Sequence, residues 1–321
     1  MPIRFDKETM KVILANPRGF CAGVNMAIDV VDQVLALRGP PVYVYHEIVH
    51  NRHVVGDFVR RGVTFVDDVE AVPEGGVIVY SAHGISPAVR AAAKRRNLYE
   101  VDATCPLVTK VHMEVLRYAR EGFTTIFVGH HEHDEAVGTV GEAPGSIVVV
   151  ETPEEVDAVR VPDESRVAFV TQTTLSVSDA ERIIAAIKRR FPSVRHPLKD
   201  DICYATTNRQ NAVSQFAPDA DVVLVIGSKN SSNSQRLVER AREAGKRAYL
   251  IDDEAELDPS WLDGADGVLV TAGASAPEHL VNNLLDRLKR DFGTTMETRT
   301  LVEEDVSFEP PKSVRSLAVL N

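Results

Sequence analysis

The three cysteines of this chain lie in stretches that share one local pattern. Cys21, Cys105 and Cys203 each come shortly before a run of apolar residues at helical spacing. Separations of 84 and 98 residues place these cysteines at nearly equal intervals. The spacing therefore predicts three similar structural units, each opened by a cysteine.

Cys105 lies at a predicted strand-to-helix transition. Apolar and polar residues alternate from Leu98 to Val101, and apolar residues recur at helical spacing from Leu107 onward. Pro106 suits the first turn of such a helix. The dipole at a helix N-terminus favours the thiolate, which is the form of cysteine that binds metals.

Strand-like runs alternate with helical patterns along most of the chain. Residues 77–80 and 222–226 are apolar runs typical of buried strands, whereas apolar residues recur at helical spacing from Ala22 to Leu35. This alternation predicts an α/β fold of three similar domains with small, mainly parallel sheets. The predicted domains are residues 22–104, residues 105–199, and residues 200–292 completed by residues 10–21, followed by a C-terminal tail at 293–321 that lacks clear periodicity.

The overall charge limits the class of partner. A formal net charge of −11 argues against broad binding to nucleic acid or to anionic membranes, which attract basic surfaces. Residues 1–10 are too charged for a signal peptide, and no later run is long enough to span a membrane. We therefore expect a cytoplasmic location and leave the oligomeric state open.

The cysteines have two interpretations. On their number alone they are three separate buried thiols, because disulfides are rare in a reducing compartment. Their shared local setting instead favours one metal site assembled by the fold. Three thiolates would ligate three irons of a [4Fe–4S] cluster and leave the fourth iron open to act as a Lewis acid.

A histidine-rich loop follows the predicted strand at residues 125–128. His131, His133 and Glu135 alternate along this loop, and such nitrogen and carboxylate ligands suit zinc. A zinc-dependent hydrolase is therefore an alternative function. Only His196 and His279 follow as further histidines, which weakens this alternative.

Several predicted strands end in polar residues that donate hydrogen bonds. Ligands of open α/β sheets bind beyond the carboxyl ends of the strands, and helix N-termini there suit phosphate groups. An alternative interpretation is that the serines only cap helices. The polar residues at these ends are His83, Thr173, Ser231, Ser232, Asn233 and Ser275.

The chain closely resembles the LytB family of 4-hydroxy-3-methylbut-2-enyl diphosphate reductases. The resemblance spans roughly residues 11–292. It is carried by residues 16–23, 46–52, 81–84, 102–114, 171–176, 199–210, 227–234 and 271–277.

The resemblance implies an iron–sulfur oxidoreductase whose three domains surround a central [4Fe–4S] cluster held by Cys21, Cys105 and Cys203. It implies reductive removal of the substrate hydroxyl to give isopentenyl and dimethylallyl diphosphates, the last step of the non-mevalonate isoprenoid pathway. The substrate oxygen would bind the open iron, and a ferredoxin or flavodoxin would supply electrons.

The resemblance also implies roles for individual side chains. Glu135 would deliver protons, and Thr173 would help to align that transfer. The residues implied to surround the diphosphate are His50, His83, His133, Ser231, Ser232, Asn233 and Ser275.

One residue departs from the family pattern. The family usually has proline between the histidine and the glutamate of the histidine loop, whereas Asp134 occupies that place here. An inward-pointing Asp134 would raise the pKa of Glu135 by like-charge repulsion. Besides the hydrolase, a non-catalytic iron–sulfur sensor or carrier remains an alternative function.

Overall fold

The computed structural model describes residues 10–317, within which twelve β-strands and eleven α-helices are assigned. The strands are β1 (Lys11–Asn16), β2 (Val42–Tyr45), β3 (Val63–Val66), β4 (Val77–Tyr80), β5 (Tyr99–Asp102), β6 (Thr124–Val128), β7 (Ile147–Val150), β8 (Val167–Thr171), β9 (Val222–Ile226), β10 (Arg247–Ile251), β11 (Gly267–Ala272) and β12 (Thr295–Thr300). The helices are α1 (Ala22–Arg38), α2 (Arg52–Arg60), α3 (Pro87–Arg95), α4 (Pro106–Arg120), α5 (Asp134–Glu142), α6 (Pro153–Ala158), α7 (Val177–Arg190), α8 (Tyr204–Phe216), α9 (Ser232–Glu243), α10 (Glu278–Phe292) and α11 (Lys312–Leu317).

The chain divides into two compact units. Of the described residues, 10–21 and 204–305 form the first compact unit, and 22–203 and 306–317 form the second compact unit. Among the helices of residues 10–317, none has both the length and the apolar character needed to cross a membrane.

The first compact unit contains a five-stranded parallel sheet in the order β10-β9-β11-β1-β12. Its central strands are buried on both faces, which explains their nearly continuous apolar sequences. Alternate residues of β9 face opposite sides because side chains alternate along a strand. Leu224 packs in a core with Leu284 of α10, whereas Val223 packs in a separate core with Leu237 of α9.

The second compact unit contains two smaller parallel sheets, β3-β2-β4-β5 and β7-β6-β8. The prediction of an α/β fold with three small, mainly parallel sheets is therefore confirmed. These two sheets draw their strands from residues 42–102 and 124–171. The boundaries of the three proposed domains stay a prediction.

The predicted C-terminal tail needs correction, because part of it is regular structure. β12 pairs with β1 over its whole length, from Lys11 opposite Thr295 to Asn16 opposite Thr300. α11 packs against α1 and β5 within the second compact unit, and its Val314 is buried. β12 has the sequence TMETRT and lies at a sheet edge, so it lacks the apolar pattern that identifies a buried strand.

Candidate functional site

Each cysteine lies immediately before the first residue of an α-helix. Cys105 is the N-cap of α4, and its backbone N–H donates to the Ala82 carbonyl at 3.0 Å. The Cys203 N–H donates to the Thr173 carbonyl at 3.0 Å. All three cysteines are partly exposed thiols.

This donor set fits an iron–sulfur cluster, because such clusters are held by cysteine thiolates and helix N-termini favour the thiolate. Cys21 is positioned within the first compact unit, where its N–H donates to the Ala274 carbonyl at 3.2 Å. Cys105 and Cys203 are positioned within the second compact unit.

Glu135 and Thr173 are brought together at the ends of β6 and β8. The Thr173 backbone N–H donates to Glu135 Oε1 at 2.7 Å, and the Thr173 hydroxyl donates to Oε2 at 2.8 Å. Glu135 is 1% exposed. A buried carboxyl held by two donors on one residue has a fixed orientation, which suits a group that transfers a proton.

Burial raises the pKa of Glu135 to about 7, although both hydrogen bonds from Thr173 favour the ionised form. The nearby negative charge of Asp201 adds to this increase in pKa. Near neutral pH, Glu135 is therefore poised between its acid and its conjugate base.

The expectation that Asp134 raises the pKa of Glu135 is wrong. The Asp134 carboxylate instead accepts a hydrogen bond from His46 Nδ1 at 2.7 Å. Burial opposes ionisation of Asp134, but this hydrogen bond and the charges of neighbouring histidines outweigh burial and lower the pKa of Asp134. Consecutive residues on a helix do not face the same partners, so Asp134 and Glu135 point to different surroundings.

The three predicted substrate-binding histidines form one cluster in the second compact unit. His50 and His83 stack, with ring centroids 4.0 Å apart and an angle of 15° between their planes. His133 meets both rings edge-on, at centroid distances of 5.4 Å from His50 and 5.9 Å from His83. The structure thus gathers side chains that follow β2, β4 and β6 in the sequence.

Two of these histidines are held in the neutral form. Burial lowers the pKa of His133 to about 4, and its Nδ1 accepts the Glu135 N–H at 3.1 Å as the N-cap of α5. Burial also lowers the pKa of His83 well below its ordinary value. The buried His83 Nδ1 has no hydrogen-bond partner among the described residues. Neutral imidazoles of this kind can donate hydrogen bonds to an incoming anion.

His46 was missed by the sequence reasoning. It follows β2, stacks on Tyr45 and donates to Asp134, and this hydrogen bond raises the pKa of His46 against the effect of burial. Asp134 Oδ2 also lies 3.9 Å from both His50 Nε2 and His83 Nδ1. The charge on Asp134 therefore faces the predicted diphosphate-binding histidines rather than Glu135.

The structure does not support a metal site in the histidine loop. His131 is largely exposed beside Glu155, whereas His133 faces the other histidines and Glu135 binds Thr173. A different set, His50, His83 and Asp134, has ligand atoms within 4.8 Å of one another. The planes of the stacked His50 and His83 rings are nearly parallel, whereas an ion bound by both imidazoles would have to lie close to both planes.

The predicted serine and asparagine residues of the first compact unit lie at the start of α9 and after β11. Ser231 is the N-cap of α9 and accepts the Ser234 N–H at 3.3 Å. The Ser275 hydroxyl lies 3.5 Å from the Ser231 hydroxyl, while Ser232 is the first residue of α9. These side chains are buried, and the contact between Ser275 and Ser231 brings the loop after β11 to the start of α9. Their binding of the diphosphate stays a prediction.

Asn233 joins this loop to the segment that carries Cys21. The Asn233 Oδ1 accepts the Ala274 N–H at 2.8 Å, and the Ala274 carbonyl accepts the Cys21 N–H. Ser234, which the sequence reasoning left out, is fully buried and donates to the Ser231 hydroxyl at 3.0 Å. A Cβ at Gly273 would lie 1.9 Å from Ser234 Oγ, so an alanine there would force Ser234 to shift.

Comparison with known proteins decides the family. Residues 12–289 match the family described as LytB protein. The chain belongs to the LytB family. Among LytB relatives, a 4-hydroxy-3-methylbut-2-enyl diphosphate reductase of Rhodopirellula baltica is 55% identical over 96% of this chain and 97% of that protein. A relative of the same name from Edwardsiella ictaluri is 53% identical over 95% of this chain and 98% of that protein.

A solved LytB structure has the same fold. The E-1-hydroxy-2-methyl-but-2-enyl-4-diphosphate reductase from Plasmodium falciparum superimposes with a TM-score of 0.94 at 37% identity, covering 97% of this chain and 99% of that chain. These LytB relatives are named as reductases, so they give no support to the zinc-dependent hydrolase.

Proposed function

We propose that this chain reduces (E)-4-hydroxy-3-methylbut-2-enyl diphosphate to isopentenyl and dimethylallyl diphosphates, the last step of the non-mevalonate isoprenoid pathway. The observation that carries the proposal is similarity above 50% identity, over nearly the whole length of both chains, to relatives named for this reaction. The reaction breaks a C–O bond and forms a C–H bond. It consumes two electrons and two protons and releases the hydroxyl as water.

We propose that Cys21, Cys105 and Cys203 hold a [4Fe–4S] cluster. Three thiolates for four irons leave one iron without a protein thiolate. When bound, such a cluster supplies electrons one at a time and a Lewis-acidic iron. The proposed electron donor is a ferredoxin or a flavodoxin.

Glu135 is the proposed proton donor. Its pKa of about 7 leaves a substantial fraction of Glu135 protonated at neutral pH. Burial keeps bulk water away from the carboxyl, so the proton is not lost to solvent. Thr173 holds both carboxyl oxygens and fixes the direction from which the proton is delivered. Ionised Glu135 would retain both hydrogen bonds while it waits for the next proton.

The diphosphate is proposed to bind neutral donors. His83 and His133 are held neutral by burial, and hydroxyl or amide donors impose no fixed positive charge. Such donors satisfy the phosphate oxygens through hydrogen bonds, while release of the products needs no separation of a strong ion pair. The proposed diphosphate-binding residues are His50, His83, His133, Ser231, Ser232, Asn233 and Ser275.

The deciding experiment is anaerobic purification, iron and sulfide analysis, and assay of the reduced protein with the proposed substrate. We expect a brown protein with about four irons per chain that forms both C5 diphosphates. A cluster without turnover would instead indicate a sensor or carrier. A colourless protein without iron would refute the proposed function.

A further inference from the structure

Lys110 makes an unusual set of contacts for a lysine on a helix surface. Its ammonium donates to the carbonyls of Lys199 and Asp200 at 2.8 and 3.0 Å, and to Asp201 Oδ1 at 3.0 Å. An ammonium has three N–H groups, so these three acceptors on consecutive residues use all of them. Lys110 therefore fixes one short segment of backbone rather than a single side chain.

That segment leads directly to Cys203. Asp201, whose side chain is fully buried, also accepts the Thr171 N–H through Oδ2 at 3.0 Å. Two residues later, the Cys203 N–H donates to the Thr173 carbonyl. The segment is thus held on one side by the end of β8 and on the other by Lys110.

The helix that carries Lys110 is the one that Cys105 caps. Lys110 lies five residues after Cys105, so its side chain links the helix that follows one cysteine to the residues that precede another. Thr173 belongs to the same network, since its carbonyl accepts from Cys203 while its N–H and hydroxyl bind Glu135.

We propose that Lys110 is a positioning residue that fixes Cys203 relative to Cys105. This inference rests on the proposed function in that these cysteines hold the cluster. The three-way contact of Lys110 keeps the two thiols at a constant separation. Without it, the segment at residues 199–203 moves and the cluster is lost more readily.

The test compares Lys110→Met with the matched control Lys246→Met. Lys246 donates to one carbonyl, that of Pro218, and lies in the first compact unit. Substitution of a residue that holds a metal ligand in place typically lowers metal affinity by about 10- to 100-fold. We therefore expect iron release to a chelator to become about 10-fold faster in Lys110→Met and to stay unchanged in the control.

A double variant separates positioning from burial of an unpaired charge. Lys110→Met with Asp201→Asn removes the buried negative charge that the single variant leaves without its partner. We expect the double variant to recover much of the lost thermal stability while iron release stays fast. Recovery of both properties together would overturn the proposal.

Amide hydrogen exchange measures the same contact without the cluster. We expect exchange of the Cys203 N–H to be at least about 10-fold faster in Lys110→Met than in the parent protein, because its segment is released. Unchanged exchange would overturn the proposal whether or not the protein holds iron. A parent protein without a cluster would refute the proposed function, while the exchange measurement would still decide the role of Lys110.

Discussion

Removing the Thr173 hydroxyl should shift the pH dependence of turnover toward higher pH. In Thr173→Val, Glu135 Oε2 loses its hydrogen bond of 2.8 Å, whereas Oε1 keeps the backbone N–H at 2.7 Å. The variant is close in shape to the parent residue, so the geometry of the β8 end is retained. The change therefore acts chiefly on the balance between the two protonation states of Glu135.

The size of the effect follows from the charge of the acceptor. A hydrogen bond to a charged group contributes about 1.5–3 kcal/mol, compared with about 0.5–1.5 kcal/mol for a neutral one. Removal of the hydroxyl therefore costs the ionised carboxylate about 1–1.5 kcal/mol more stabilisation than it costs the protonated form. Since one pH unit corresponds to about 1.4 kcal/mol, the pKa of Glu135 should rise by about one unit from its value of about 7.

The assay is the anaerobic rate of product formation at saturating substrate and reductant between about pH 5.5 and 9.5. If protonated Glu135 delivers the proton, the rate of the parent protein falls as pH rises through about 7. In Thr173→Val this fall should occur about one pH unit higher.

Thr139→Val is the matched control for this prediction. The Thr139 hydroxyl is also buried, but it donates to the backbone carbonyl of Glu135 rather than to its carboxyl. The control should leave the midpoint of the pH profile unchanged. A midpoint that is equal in both variants, or that moves to lower pH in Thr173→Val, would show that the profile does not report ionisation of Glu135.

Three further predictions test the same site and its support. Glu135→Gln should keep the cluster but lower turnover by about 10²–10⁴-fold. Folding raises the pKa of Glu135 from 4.5 to about 7, so the parent protein loses about 3 kcal/mol of stability as pH rises between those values. Denaturation of Glu135→Gln, followed over the same pH range, should lack this loss. Asp134→Asn should lower the pKa of His46 in an NMR titration, since the charged partner is removed; an unchanged value would refute their coupling. Gly273→Ala should destabilise the protein by about 1–3 kcal/mol or more in thermal denaturation, because its Cβ would lie 1.9 Å from a serine Oγ. Gly56→Ala, whose Cβ meets an ordinary contact at 3.6 Å, should not destabilise it.

The sequence reveals the central strands of the five-stranded sheet more clearly than its two edge strands, for a physical reason. β9 is buried on both faces, so its sequence VVLVI is apolar throughout. β10 and β12 lie at the two edges of the same sheet, where partial exposure permits charged and polar residues. β12 pairs with β1, which lies near the other end of the chain, so the local pattern of β12 does not reveal this pairing.

Local sequence patterns likewise predict only part of the candidate site. The positions of Cys105 and Ser231 before helices follow from local patterns, because caps and first turns have sequence preferences. The partner of Asp134 does not follow from such patterns, since His46 lies 88 residues away in the chain. Proximity in sequence suggested Glu135 as that partner, whereas the packing of α5 directs the two carboxyl groups to different neighbours.

The pKa of Glu135 depends on two opposing features of the fold. Burial alone would keep the carboxyl protonated well above neutral pH, where it could not release its proton readily. The two hydrogen bonds from Thr173 alone would keep it ionised, with no proton to deliver. The segment after β8 provides those hydrogen bonds, while packing around α5 provides the burial. Substitutions that loosen the packing and admit water should therefore move the pH midpoint of turnover down, whereas substitutions that remove a donor should move it up.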